Sequence, residues 1–187
     1  MNAFHKECLF NHFGLSNYMS QEVAKNCEIC EKNWWIKPAV YQGIYHALQR
    51  RVEDELFPCL RHYSISLYAF QPLAGGFLTS RYTRQQESFK PSSQFDPNLL
   101  QVTLHRGRYW NNAYFDGLDI IRLATGKHGL TVAEVASGCI EHHSLMRKSM
   151  VMRLLSGRVV RGIWRRIWRI WRRGHCRRLL RRWRRRG

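Results

Sequence analysis

Acid is missing where this chain is most basic. From Arg147 to Gly187 there is no Asp or Glu, while 17 of the 31 Lys/Arg fall in that stretch. Up to Met146 the chain carries 14 basic and 13 acidic side chains, so the net charge of +18 divides into +17 for the tail and +1 for the body. A long run of one sign does not belong to an ordinary folded domain, and the two stretches call for separate explanations. Other absences narrow the class further. No apolar run reaches the roughly 20 residues that cross a bilayer as a helix. The opening Met1-Asn2-Ala3-Phe4-His5-Lys6 lacks the apolar core of a secretory signal, which predicts a cytoplasmic chain whose six cysteines stay reduced. There is no internal repeat at solenoid spacing. Cys27 and Cys30 form a CxxC without a second such pair, and His142-His143 lacks the spacing that turns two imidazoles to one metal. They read as helical cysteines and histidines rather than as a metal site.

What is present up to Met146 is an alternation of two patterns. Helical periodicity runs over about Met19–Lys32, Arg51–His62, Asn112–Lys127 and Thr131–His142. Ser20 is a candidate cap for the first, and Thr131 with Glu134 forms a capping box for the last. Short strand-like runs cover Phe13–Asn17, Val40–Tyr45 and Ile65–Phe70. Strand, helix, strand, helix at this spacing predicts parallel βα units. Ligands of such sheets bind beyond the carboxyl ends of the strands, where several loops converge. The polar groups there are Ser16-Asn17, Gln42 and the run Gln71-Pro72-Leu73-Ala74-Gly75-Gly76. Glycines in that run would let a backbone approach phosphate oxygens. Taken alone each feature is weak, and Pro72-Leu73-Ala74-Gly75-Gly76 reads first as a tight turn.

Taken in order, the phrases resemble the aldo-keto reductases, in their aflatoxin-aldehyde-reductase-like branch. They are Phe13-Gly14-Leu15-Ser16-Asn17-Tyr18, Trp35-Ile36-Lys37-Pro38, Val40-Tyr41-Gln42-Gly43, Glu55-Leu56-Phe57-Pro58-Cys59-Leu60-Arg61, Tyr68 through Gly76, and Arg108-Tyr109-Trp110. The resemblance implies a (β/α)8 TIM barrel of the α/β class that uses NADPH/NADP to reduce aldehydes and ketones. A complete barrel takes about 250 residues, so residues 1–146 correspond to a partial barrel, roughly strands five to seven with their helices. By the same resemblance, Ser16, Asn17 and Gln42 would bond the nicotinamide carboxamide, and Phe70 would stack on the ring. Pro72, Leu73, Ala74, Gly75 and Gly76 would run beside the pyrophosphate. The family's Asp, Tyr, Lys and His tetrad belongs to strands ahead of the segment matched by Asn2. No catalytic residue and no metal ligand is therefore assigned, and residues 1–187 alone are expected to be inactive. The implied partners are the cofactor and a small carbonyl substrate.

Four residues depart from the family pattern. Cys8 and Trp34 each stand where glycine is usual, and a helix C-cap of positive φ would make Trp34 costly. Gly138-Cys139 replaces a usual Arg-Trp before Ile140.

Residues 147–187 admit two readings. Ile163, Ile167 and Ile170, shadowed by Trp164, Trp168 and Trp171, describe a basic amphipathic helix that would bind anionic membranes or nucleic acid. Alternatively, the tail is DNA read one base out of frame. Each former codon is then the last base of one present codon plus the first two of the next. Met150-Val151 must then come from Gly, each Ile-Trp from Leu or Met, and each Trp-Arg from Glu or Ala. These forced outcomes permit the continuation that the resemblance implies, with Gly-Asp-Ala, Gly-Ala-Ser-Ser and a Leu- and Glu-rich helix. On that reading the last barrel strand is lost and the sheet keeps an open edge.

Overall fold

The computed structural model describes residues 1–86, 88–89, 93–96, 102–146 and 153–154. The chain forms two units. The first comprises Met1–Tyr45, Gln49–Phe70 and Ser144–Leu155, and the second His46–Leu48 and Gln71–His143, together with residues beyond 155 outside the described set.

The first unit is built on strands β1 (Gly14–Ser16), β2 (Val40–Ile44), β3 (Ser66–Phe70) and β4 (Arg153–Leu154), hydrogen-bonded in that order and all parallel. Strand alternation sorts their side chains. Tyr41, Leu67 and Ala69 are buried on one face, while Ser16 and Gln42 are exposed on the other. Helix α1 (Asn2–Lys6) precedes the sheet; α2 (Ser20–Lys32) follows β1 and α3 (Leu56–His62) follows β2. Val23 and Cys27 of α2, with Leu56, Phe57 and Leu60 of α3, complete the core of this unit. Burial, together with the neighbouring Cys30 and Cys59, pushes the Cys27 thiol up to about 11, which leaves it protonated and unreactive.

Two expectations need correction here. Ser20 does not cap α2; it is the first helical residue, and the N–H of Met19 donates instead to the Glu22 carboxylate at 2.6 Å. The expected helix from Arg51 to His62 is broken into a short 3-10 turn (Arg51–Glu53) and α3. Pro58 is the reason: it has no N–H to donate to Asp54, and its ring opposes that carbonyl, so the helix starts just before it.

The positive φ expected at Trp34 is present. Asn33 ends α2, and Trp34 follows with φ 56°. The Trp34 N–H donates to the Glu31 carbonyl at 3.2 Å and the Trp35 N–H to that of Cys30 at 2.8 Å, the bonding of a Schellman motif. Cys8 also has positive φ, 58°.

The second unit contains α4 (Val102–Tyr109), α5 (Asn112–Gly126) and α6 (Val132–His143) around an aromatic core. Phe77 sits at its centre, with Phe115 at 5.0 Å, Tyr114 at 6.0 Å and Phe95 at 6.2 Å between ring centroids. The side chain of Asn111 caps α5 by accepting from the Tyr114 N–H at 3.1 Å. The capping box of α6 forms as expected: the Thr131 hydroxyl accepts from the Glu134 N–H at 3.2 Å, and the Glu134 carboxylate accepts from the Thr131 N–H at 2.8 Å. Helix α4 has no counterpart among the sequence expectations. Its inward face, Val102, His105 and Tyr109, is too polar to register as an apolar stripe.

Of the basic tail, Arg153 and Leu154 are described, and they are a strand paired with Tyr68 and Ala69. The open edge expected beyond β3 is therefore covered at those two positions. The expected helix around Ile163–Trp171 lies outside the described residues.

Candidate functional site

In the first unit Ser16 and Phe70 close β1 and β3, Asn17 follows β1, and Gln42 lies at the middle of β2, two residues short of its carboxyl end. Ser16 is the Cα partner of Gln42, and Gln42 of Tyr68, two residues before Phe70. The period of two puts Ser16, Gln42, Tyr68 and Phe70 on one face of the sheet. Ser16, Asn17 and Gln42 are exposed, and Phe70 is half-buried. One hydroxyl and two carboxamides offer donors and acceptors together, which is what a neutral amide ligand requires. Phe70, half-buried, is on the same face two residues further along β3 than Tyr68.

Backbone conformation marks the same ends. Asn17 has φ 62° directly after β1, and Gln71 has φ 55° directly after β3. Positive φ costs a residue with a Cβ, least for Asn, and such positions collect at functional turns. The corner after β1 is also held from β2, because the phenol of Tyr41 donates to the carbonyl of Tyr18 at 2.7 Å.

The run after β3 belongs to the second unit. Pro72, Leu73 and Ala74 are buried, with Leu73 and Ala74 part of the aromatic core, so their side chains serve packing. Ala74–Gly76 form a 3-10 turn in which the Ala74 N–H donates to Gln71 at 2.8 Å and the Gly76 N–H to Leu73 at 2.9 Å. Those two amides are already committed to the turn. Gly75 has φ 67°, and a Cβ on it would lie 2.4 Å from the Gln94 side-chain oxygen, so no larger residue fits without displacing Gln94.

Sequence reasoning missed the groups around this turn. The Tyr109 phenol donates to the Gln71 side-chain oxygen at 2.6 Å, and burial pushes that phenol up to about 12. His105 Nδ1 is buried without a hydrogen-bond partner among the described residues, and burial plus the nearby Arg108 charge lower its pKa. The phrase Arg108-Tyr109-Trp110 pointed to this helix without saying what it would touch. Among the described residues no group of three His, Cys, Asp or Glu could hold a metal, and no helix is long and apolar enough to cross a membrane.

Parallel strands joined through helices, with polar side chains gathered at their carboxyl ends, define the βα class of ligand-binding proteins. Within that class the chain belongs to the aldo/keto reductase family, whose model matches residues 1–143, and to its aflatoxin-aldehyde-reductase-like branch. It is 50% identical over 149 residues to the aldo-keto reductase pigE of Monascus ruber, covering 79% of this chain and 44% of that protein. It is 41% identical over 151 residues to the human aldo-keto reductase family 7 member A3, covering 78% of this chain and 45% of the relative. It is likewise 41% identical over 148 residues to the human aflatoxin B1 aldehyde reductase member 2, covering 76% and 41%. The chain thus spans under half the length of these curated relatives. The family is one of oxidoreductases with a (β/α)8 barrel, and the parallel sheet is consistent with part of one.

Proposed function

We propose that residues 1–146 carry the nicotinamide side of an NADPH site inherited from a carbonyl reductase, and that residues 1–187 alone do not turn over. The observation that carries this reading is the exposed Ser16 and Gln42 paired on adjacent parallel strands, with Asn17 directly after Ser16 and Phe70 of β3 on the same face. Its donor set fits a carboxamide that must both give and accept hydrogen bonds. Bound NADPH would supply hydride; the residues of this chain would orient the ring and shield one side of it. The expectation of no turnover concerns residues 1–187 taken by themselves. Carbonyl reduction needs a proton donor of tuned pKa, and in this family that group belongs to strands ahead of the segment matched by Asn2.

The tail from Arg147 is read here as out of frame, and the family match ending at residue 143 supports a boundary close to Met146. A cytoplasmic location goes with this reading, as does a small aldehyde or ketone as the substrate of the complete enzyme.

The test is a fluorescence titration of NADPH with the full chain, alongside NADPH consumption in the presence of a small aromatic aldehyde. Saturable binding with no consumption is expected. No saturable binding would sink the cofactor site, and consumption above that of heat-treated protein would sink the claim of inactivity.

A further inference from the structure

We infer that Tyr41 is a positioning residue for the nicotinamide end of the site, holding Ser16 and Asn17 in place through the carbonyl of Tyr18. The inference rests on the reading of Ser16, Asn17 and Gln42 proposed above and adds a residue that does not itself face the ligand.

Three observations converge on it. Tyr41 precedes Gln42 in β2, so strand alternation sends the two side chains to opposite faces: Gln42 is exposed and Tyr41 is 4% exposed. A phenol that deeply buried must find a hydrogen-bond partner, and this one reaches across to the corner after β1 and donates to the Tyr18 carbonyl at 2.7 Å. Finally, the corner it holds cannot be fixed by packing. Ser16, Asn17, Tyr18 and Met19 are all exposed, and β1 is three residues long. Asn17 nevertheless has φ 62°, a conformation that persists where the surroundings impose it. The bond from Tyr41 lands on the Tyr18–Met19 peptide, one removed from Asn17; the N–H of that peptide is held by the Glu22 carboxylate, so the corner is tied to β2 as well as to α2. Adjacent residues of one strand therefore divide the work: Gln42 presents its amide to the ligand, while Tyr41 fixes the neighbouring strand end that presents Ser16 and Asn17.

The experiment replaces Tyr41 with Phe in the full chain, removing the hydroxyl and keeping the ring. NADPH affinity is expected to fall about tenfold, the effect of one buried hydrogen bond, while affinity for the adenosine bisphosphate fragment of NADPH is unchanged. Thermal melting shows that the variant is folded. In the unliganded protein, the side-chain amide resonances of Asn17 should move relative to those of the wild type. Equal weakening for both ligands would indicate general loosening and overturn the inference, as would unchanged NADPH affinity or an unmoved Asn17 signal. If the wild type binds the adenosine fragment but not NADPH, the nicotinamide site itself fails, and Tyr41 loses its role with it.

Discussion

Trp34 shows how a single side chain can sit against the backbone that carries it. The two hydrogen bonds that close α2 require a residue of positive φ after Asn33, and glycine adopts that conformation without a Cβ clash. Trp34 is 95% exposed, so it gains no burial in return. Trp34→Gly should therefore stabilise the chain by about 0.5–1 kcal/mol, the left-handed penalty less the added freedom of glycine when unfolded. Urea unfolding of the two proteins measures it, and an unchanged or lower midpoint would contradict the strain argument. The opposite case is Gly75, where the positive φ of 67° favours the glycine that is there. Of the residues nominated from the sequence, Ser16, Asn17 and Gln42 stood out because they are polar in or directly after strand-like runs. Tyr41 and His105 were not, because an isolated Tyr or His gives no sign of which buried atom it faces.

The connection between β2 and α3 is stabilised as an element. The Tyr45 phenol at the end of β2 donates to the Glu53 carboxylate, and Arg50 donates to the same carboxylate through two nitrogens, each at 3.0 Å. Burial pushes the Glu53 carboxyl up, but the bonds from Arg50 and Tyr45 outweigh it and hold the group below its ordinary value. A depressed carboxyl pKa contributes stability above the unfolded value of 4.5, and that contribution is lost as pH falls through the folded value beneath it. Glu53→Gln should cost about 2 kcal/mol at neutral pH and should leave a variant whose stability declines less on acidification. Denaturant titrations at neutral and acid pH test both parts; parallel acid limbs in the two proteins would exclude Glu53 as a source of the pH dependence. The break at Pro58 within this connection was legible in kind, since proline limits a helix on its N-terminal side. Helix α4 was not, because its buried face uses a histidine and a tyrosine where the pattern calls for aliphatic residues.

For the whole molecule the decisive division is the change of composition at Met146. Arg153 and Leu154 nonetheless pair with β3. A parallel ladder is made by main-chain groups, which every residue but proline carries, so a strand can dock on an edge without the side chains of the original. Pairing there is thus compatible with an altered reading frame. The expected outcome of sequencing the flanking DNA is an open frame upstream that encodes the tetrad, and a Leu- and Glu-rich frame beneath codons 147–187. Finding neither would leave the basic tail as a segment to be explained by its own charge.

Local chemistry, readable from residue order alone, determined the three strands, the helices opening at α2 and Thr131, and the polar groups in or directly after the strands. Periodicity and capping act over a few residues, and they leave the same marks wherever they occur. The tertiary structure decided which side chain holds which. The hydrogen bond of Tyr41 to Tyr18, the aromatic core around Phe77, and the seat of β4 beside β3 each join residues far apart in the chain. Their stability depends on burial and register, which exist after the chain has folded and leave no periodic trace in the order of residues.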